Sequence, residues 1–150
     1  MSLSIKRILA AVDFSETSDK AFDYAMSLAR VFEAEVVALH VVHDPIVYAP
    51  TTGQEWRDEF ERTIKEKLDA LLNRHTCEGV EVTAVIKQGG AWLEIIEYAK
   101  AEDCNMIVLG THGHGPVQHM LMGSVAEKVV RKAKHPVLVV RPDQHHFVMP

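Results

Sequence analysis

The sequence predicts an α/β fold: a single domain with a five-stranded parallel sheet, doubly wound and Rossmann-like. Three observations carry this. Short apolar runs alternate with helix-length amphipathic segments along the chain. Most of those runs are continuous rather than alternating, as in strands covered on both faces. The chain has 150 residues, a length that suits one domain with a real core.

Ile8–Val12 is the first strand, closed by Asp13. Ala21, Phe22, Ala25, Met26, Leu28, Ala29 and Phe32 recur near a 3.6 period, so a helix follows, opened by the cap-type residues Ser15–Ser18. Val36–Val42 is nearly continuous and β-branched, broken only by His40, which reads as a structural histidine. Pro45, Pro50 and Gly53 make 43–53 a loop. Trp56, Phe60, Ile64, Leu68, Leu71 and Leu72 mark the second helix, whose charged stretch Glu55–Asp69 reads as a solvated face. Val80–Lys87 alternates Val80, Val82, Ala84 and Ile86 with Glu81, Thr83, Val85 and Lys87, a strand with one wetter face, as at a sheet edge. Gly89-Gly90 turns into a third helix through Trp92, Leu93, Ile95, Ile96 and Ala99. Met106–Leu109 is the fourth strand, stopped by Gly110. Ser124 opens the last helix, and Val137–Val140, after Pro136, is the last strand.

The order β-α-β-α-β-α-β-α-β implies right-handed crossovers and a ligand site at the carboxyl ends of the strands, where strand order reverses. That rule points to Asp13, to Val41–His43 and to Gly110–Ser124. Gly110-Thr111-His112-Gly113 follows an apolar strand, and nine residues separate Gly113 from Gly123-Ser124 at a helix start. Glycines let backbone N–H groups approach an anion, and a helix N-terminus adds donors and partial positive charge. Ser124 caps its own helix or gives its hydroxyl to a phosphate.

These residues resemble the universal stress protein family. The pattern Gly110-x2-Gly113-x9-Gly123-Ser124 matches the nucleotide signature of its ATP-binding branch. Ile8–Ser15, Gly123–Val130 and Pro136–Val140 also look like the family, so the resemblance runs from about Ile5 to Arg141. It implies one domain over 1–150, with an ordered core at about 5–141 and a tail at 142–150. It implies strand order 3-2-1-4-5, as in adenine nucleotide alpha hydrolase-like folds, and a homodimer paired through Val137–Val140. It implies ATP across the ends of strands one and four. Asp13 and the backbone of Ala11, Val12 and Val41 would frame the adenine and ribose, and Ser15 and Leu109 would also belong to the nucleotide site. Gly110, His112, Gly113, His114, Gly123, Ser124 and Val125 would surround the phosphates, with Mg²⁺ bridging them. His114 stands where family members often carry Arg, and Gly115–Met122 holds no Lys or Arg. Affinity for ATP is therefore expected to rise as pH falls from 8 to 6, as histidines gain charge.

Other chemistries find less support. Hydrophobic residues at 47% and charged residues at 25% are ordinary for a soluble globular protein, which excludes disordered and disulfide-scaffold classes. The net charge of −5 argues against nucleic acid as a partner. Lys128, Arg131, Lys132 and Lys134 read as cations complementing a helix C-terminus. Trp56 and Trp92 read as packing residues. Cys77 and Cys104 read as free thiols, and the chain shows no signal peptide and no spanning segment, so the expected location is cytoplasmic. His112, His114 and His119 do not make a dedicated zinc set, and His145-His146 reads as solvated tail. Walker and nucleophile-elbow motifs are absent. The expected function is an ATP-binding stress regulator or sensor with an unnamed downstream protein and at most slow hydrolysis or phosphate transfer. The alternatives are an enzyme using ATP or another adenylate, and a dimeric interaction module that binds no nucleotide.

Overall fold

A computed structural model describes residues 2–43, 49–75, 79–112 and 122–142. Nine elements follow one another: β1 (Arg7–Ala11), α1 (Glu16–Phe32), β2 (Glu35–Val42), α2 (Gln54–Arg74), β3 (Val82–Gln88), α3 (Ala91–Ala101), β4 (Met106–Gly110), α4 (Ser124–Lys132) and β5 (Val137–Val140). The strands form one parallel sheet in the order β3-β2-β1-β4-β5. Fold class and strand order are those expected.

Alternation along the central strands divides the core into two layers. Ile8 and Ala10 of β1 face α1 and α2, where they meet Phe22, Met26, Leu68 and Leu71. Leu9, between them, faces α3 and α4 with Ile107, Leu109, Ile95 and Val129. Both layers are dry: Ile8, Leu9, Phe22, Leu71 and Ile107 have no exposed surface. Truncating such a side chain to Ala costs about 2–5 kcal/mol.

The helix ends are set by local chemistry. Ser15 caps α1, its hydroxyl accepting from the Ser18 N–H at 3.2 Å. At the other end Glu33 takes the left-handed conformation (φ 54°), and the next N–H, of Ala34, reaches back to the Ala29 carbonyl at 2.9 Å.

The bounds of four strands shift by one or two residues: strand two begins at Glu35 rather than Val36, and strand four takes in Gly110 rather than stopping at Leu109. Strand one runs from Arg7 to Ala11 rather than from Ile8 to Val12, and the Val12 carbonyl accepts from the His40 ring at 2.7 Å. The edge strand runs from Val82 to Gln88 rather than from Val80 to Lys87. Its wet and dry faces are less distinct than the alternation suggests. Val82 and Ile86 pack on the α1–α2 layer, while Val85 packs on the α3–α4 layer with Trp92 and Tyr98.

Candidate functional site

The chain runs outward from β1 through β2 to β3, then crosses to β4 on the other flank of β1. The loops after β1 and β4 therefore leave in opposite directions and open a crevice between them. A cavity of about 490 Å³ occupies that crevice, a volume typical of small-molecule sites. Leu39 and Val41 of β2, Ile95 of α3 and Leu109 of β4 form an apolar wall. Asp13, Ser18, Thr111 and His112 bring polar groups to its edge.

The turn after β1 holds Asp13 rigidly. Its N–H donates to Ser18 Oγ at 3.0 Å, and its Oδ1 accepts from the Ser15 N–H at 2.9 Å and from the Ser15 hydroxyl. Ser15 does not line the cavity; it anchors the Asp13 carboxylate and caps α1. Between them Phe14 has φ 65°, a left-handed conformation costly for an aromatic residue and typical of turns that aim a functional group.

The glycines around β4 answer two different steric demands. A side chain on Gly110 would sit 2.8 Å from Thr17 Cγ2 and 3.2 Å from the Ser18 nitrogen, so Gly110 lets β4 end flush against the start of α1. A side chain on Gly123 would sit 2.8 Å from the Thr111 carbonyl, which already accepts the Gly123 N–H at 2.5 Å. This contact ties the start of α4 to the end of β4. Thr111 is buried, its N–H bonded to the Val140 carbonyl at 2.9 Å and its hydroxyl to His112 Nδ1 at 2.8 Å.

Gly123 is the N-cap of α4, so Ser124 is the first helical residue rather than the cap. A glycine offers no side chain to the first-turn N–H groups, which an uncapped helix leaves available. Ser124, Val125 and Ala126 of that turn line the cavity. α3 begins in the same way, with Gly90 as N-cap, no side-chain capping bond, and Ala91 on the cavity wall. Two helix N-termini thus meet one crevice whose lining, among the described residues, contains no Lys or Arg.

Of the residues expected at the site, Ala11, Val12, Asp13, Val41, Leu109, Gly110, His112, Gly123, Ser124 and Val125 come together around the cavity. Gly113 and His114 lie outside the described residues, as do His119, Cys77 and His145-His146. Sequence reasoning missed Ser18, Leu39, Ala91, Ile95, Thr111 and Ala126. Leu39 was findable, since it shares a strand face with Val41. Ala91 also had a signal in Gly89-Gly90 before a helix. Ser18 and Thr111 become visible only once α1 is folded onto the strand ends.

His40 lies on the far side of β2 from the cavity wall. Its Nδ1–H donates to the Val12 carbonyl, and its ring lies 4.7 Å from the Phe14 ring. Burial lowers its pKa, opposed by that bond and by Asp13 and reinforced by Lys67. Among the described residues, no three His, Cys, Asp or Glu side chains cluster to hold a metal. No described helix is long and apolar enough to cross a membrane. The basic residues of α4 are engaged locally. Lys128 and Lys132 lie 5.7 and 5.1 Å over the Trp92 ring, and Arg131 pairs with Glu127 at 2.7 Å. Trp56 stacks on Phe60 within α2.

A sequence model of the universal stress protein family matches residues 4–141. Universal stress protein MJ0531 of Methanocaldococcus jannaschii is 36% identical over 140 residues, covering 91% of this chain and 82% of that protein. YxiE of Bacillus subtilis is 31% identical, covering 90% and 98%. The solved structure of MJ0577, also from M. jannaschii, superposes with a TM-score of 0.83 at 29% identity, covering 95% of this chain and all of that one. The fold is also that of a universal stress protein solved in complex with cAMP (TM-score 0.66, 20% identity, 92% and 98% covered). One from Archaeoglobus fulgidus solved with dAMP shares it too (0.63, 22%, 93% and 99% covered).

Proposed function

The chain belongs to the universal stress protein family, and on that premise we propose that it is an ATP-binding regulator or sensor of the stress response. The observation that carries the reading is the crevice between β1 and β4, apolar along one wall and faced by the uncapped N-terminus of α4. The chemistry of an adenine nucleotide fits both halves. Leu39, Val41, Ile95 and Leu109 offer an apolar slot for a base. Ser124, Val125 and Ala126 offer first-turn N–H groups to phosphate oxygens. Asp13, held by Ser15 at the mouth, suits a ribose hydroxyl or a Mg²⁺ bridging the phosphates, since Mg²⁺ needs few protein ligands. The neighbours solved with cAMP and dAMP support this reading.

In this reading the protein holds its nucleotide rather than turning it over rapidly. Fast phosphoryl transfer needs a positioned nucleophile and cationic clamps on the transferring group. The described cavity lining supplies backbone donors and His112 instead. The protein works in the cytoplasm as a homodimer, with β5, the strand at the sheet's edge, pairing across a two-fold axis. The nucleotide state is passed to a downstream protein.

Mass spectrometry of small molecules released from purified protein, followed by ATP titration with Mg²⁺, tests the reading. Bound, intact ATP supports it. Rapid turnover abolished by Asp13→Ala makes the protein an enzyme instead, and no binding at millimolar ATP makes it an interaction module.

A further inference from the structure

We propose that His40 is the positioning residue for the base end of this cavity: by taking the Val12 carbonyl, it keeps the Val41 N–H out of the sheet and open to a ligand. The inference rests on the nucleotide reading above and gives its base a specific partner.

The geometry follows from the parallel ladder. β1 and β2 are in register from Arg7↔Glu35 to Ala11↔Leu39, and the Val12 N–H then donates to the Leu39 carbonyl at 2.8 Å. In a parallel pair, bonds alternate between the strands, so the next bond would run from the Val41 N–H to the Val12 carbonyl. The structure places the His40 ring on that carbonyl instead, Nδ1 to oxygen 2.7 Å. β1 ends at Ala11, one step early, while β2 continues to Val42 against β3. Val41 therefore stands on the cavity wall beyond the last rung to β1.

A stack of side chains backs the His40 ring. Phe14 lies against it at 4.7 Å, held by the left-handed turn at φ 65°. Lys67 of α2 covers the other end of this stack, its ammonium 5.5 Å from the Phe14 centroid. The pleat puts His40 and Val41 on opposite faces of β2, so the histidine never touches the ligand. It acts through the backbone.

The consequence is selectivity. A base reaching Val41 meets a peptide N–H donor beside a peptide carbonyl acceptor. Adenine's pairing edge, with its N1 acceptor and N6 donor, complements that pair. Guanine presents N1–H and O6, the reverse order, and does not.

The test compares wild type, His40→Leu and His40→Asn by calorimetric titration with ATP and with GTP, and by amide hydrogen exchange without nucleotide. Leu removes the donor; Asn restores an N–H close to the position of Nδ1. The expected result is ATP binding about tenfold weaker in His40→Leu, GTP binding changed less than about twofold, and ATP binding restored in His40→Asn. A loosened fold would weaken both nucleotides alike. In exchange, the Val41 amide should be fast in wild type and protected in His40→Leu, where the ladder closes. Equal ATP affinities in wild type and His40→Leu, or a folded His40→Asn that stays weak, overturn the inference and leave the site reading standing. A wild type that binds no adenine nucleotide overturns the site reading and the inference with it. If His40→Leu does not fold, wild-type exchange decides: a Val41 amide as protected as that of Leu39 overturns the proposal, and a faster one supports it.

Discussion

At Gly123 one hydrogen atom decides whether the β4–α4 junction can close. The ideal Cβ position is 2.8 Å from the Thr111 carbonyl, a backbone atom that cannot swing away. Gly123→Val must therefore push the start of α4 off the strand end and misalign the N–H groups of Ser124, Val125 and Ala126. ATP affinity should fall by at least about tenfold, the loss of one or two hydrogen bonds, while circular dichroism keeps an α/β spectrum. Unchanged affinity would mean that the phosphates bind elsewhere. His112 is the one histidine on the described cavity lining, and no fixed cation accompanies it there.

The elements were largely legible in the sequence because their signals are local. Phe22, Met26 and Ala29 repeat on one helical face, and the structure buries all three. The glycines before Ala91 and Ser124 mark helix starts, and both are N-caps. What stayed hidden depends on neighbours in space. Strand one stops at Ala11, and the Val12 carbonyl just beyond it meets a histidine from the adjacent strand. Gly110 reads as a phosphate glycine, yet its missing side chain makes room for Thr17. Glu33 gives no sequence signal for its left-handed conformation, since Gly or Asn is usual there. That supplies a test at the scale of one helix: Glu33→Gly relieves the strain at φ 54° and should stabilise the fold by about 0.5–1 kcal/mol, read as a higher denaturant midpoint.

Across the whole molecule, the half-buried His40 and the buried Cys104 shape how stability depends on pH. Burial lowers the His40 pKa, so the unfolded chain binds that proton more readily than the native one. Stability should therefore be full above about pH 6.5 and decline as pH falls, and His40→Asn should flatten the decline. Cys104 acts in the opposite sense. Burial pushes its thiol up to about 11, so from about pH 9 the unfolded chain ionises first and stability falls as pH rises through 11. Cys104→Ala should flatten that alkaline limb in urea titrations. Both groups report the same architecture, a dry two-layer core on either side of a sheet with a crevice between β1 and β4. Occupation of this crevice by an adenine nucleotide is read by amide chemical-shift mapping during titration with Mg·ATP. The expected result is saturable shifts centred on Val41, Gly110 and Gly123–Ala126, with the α2–β3 surface around Arg62 and Lys87 unmoved. Saturable shifts centred on that surface, or none at millimolar ATP, would contradict it.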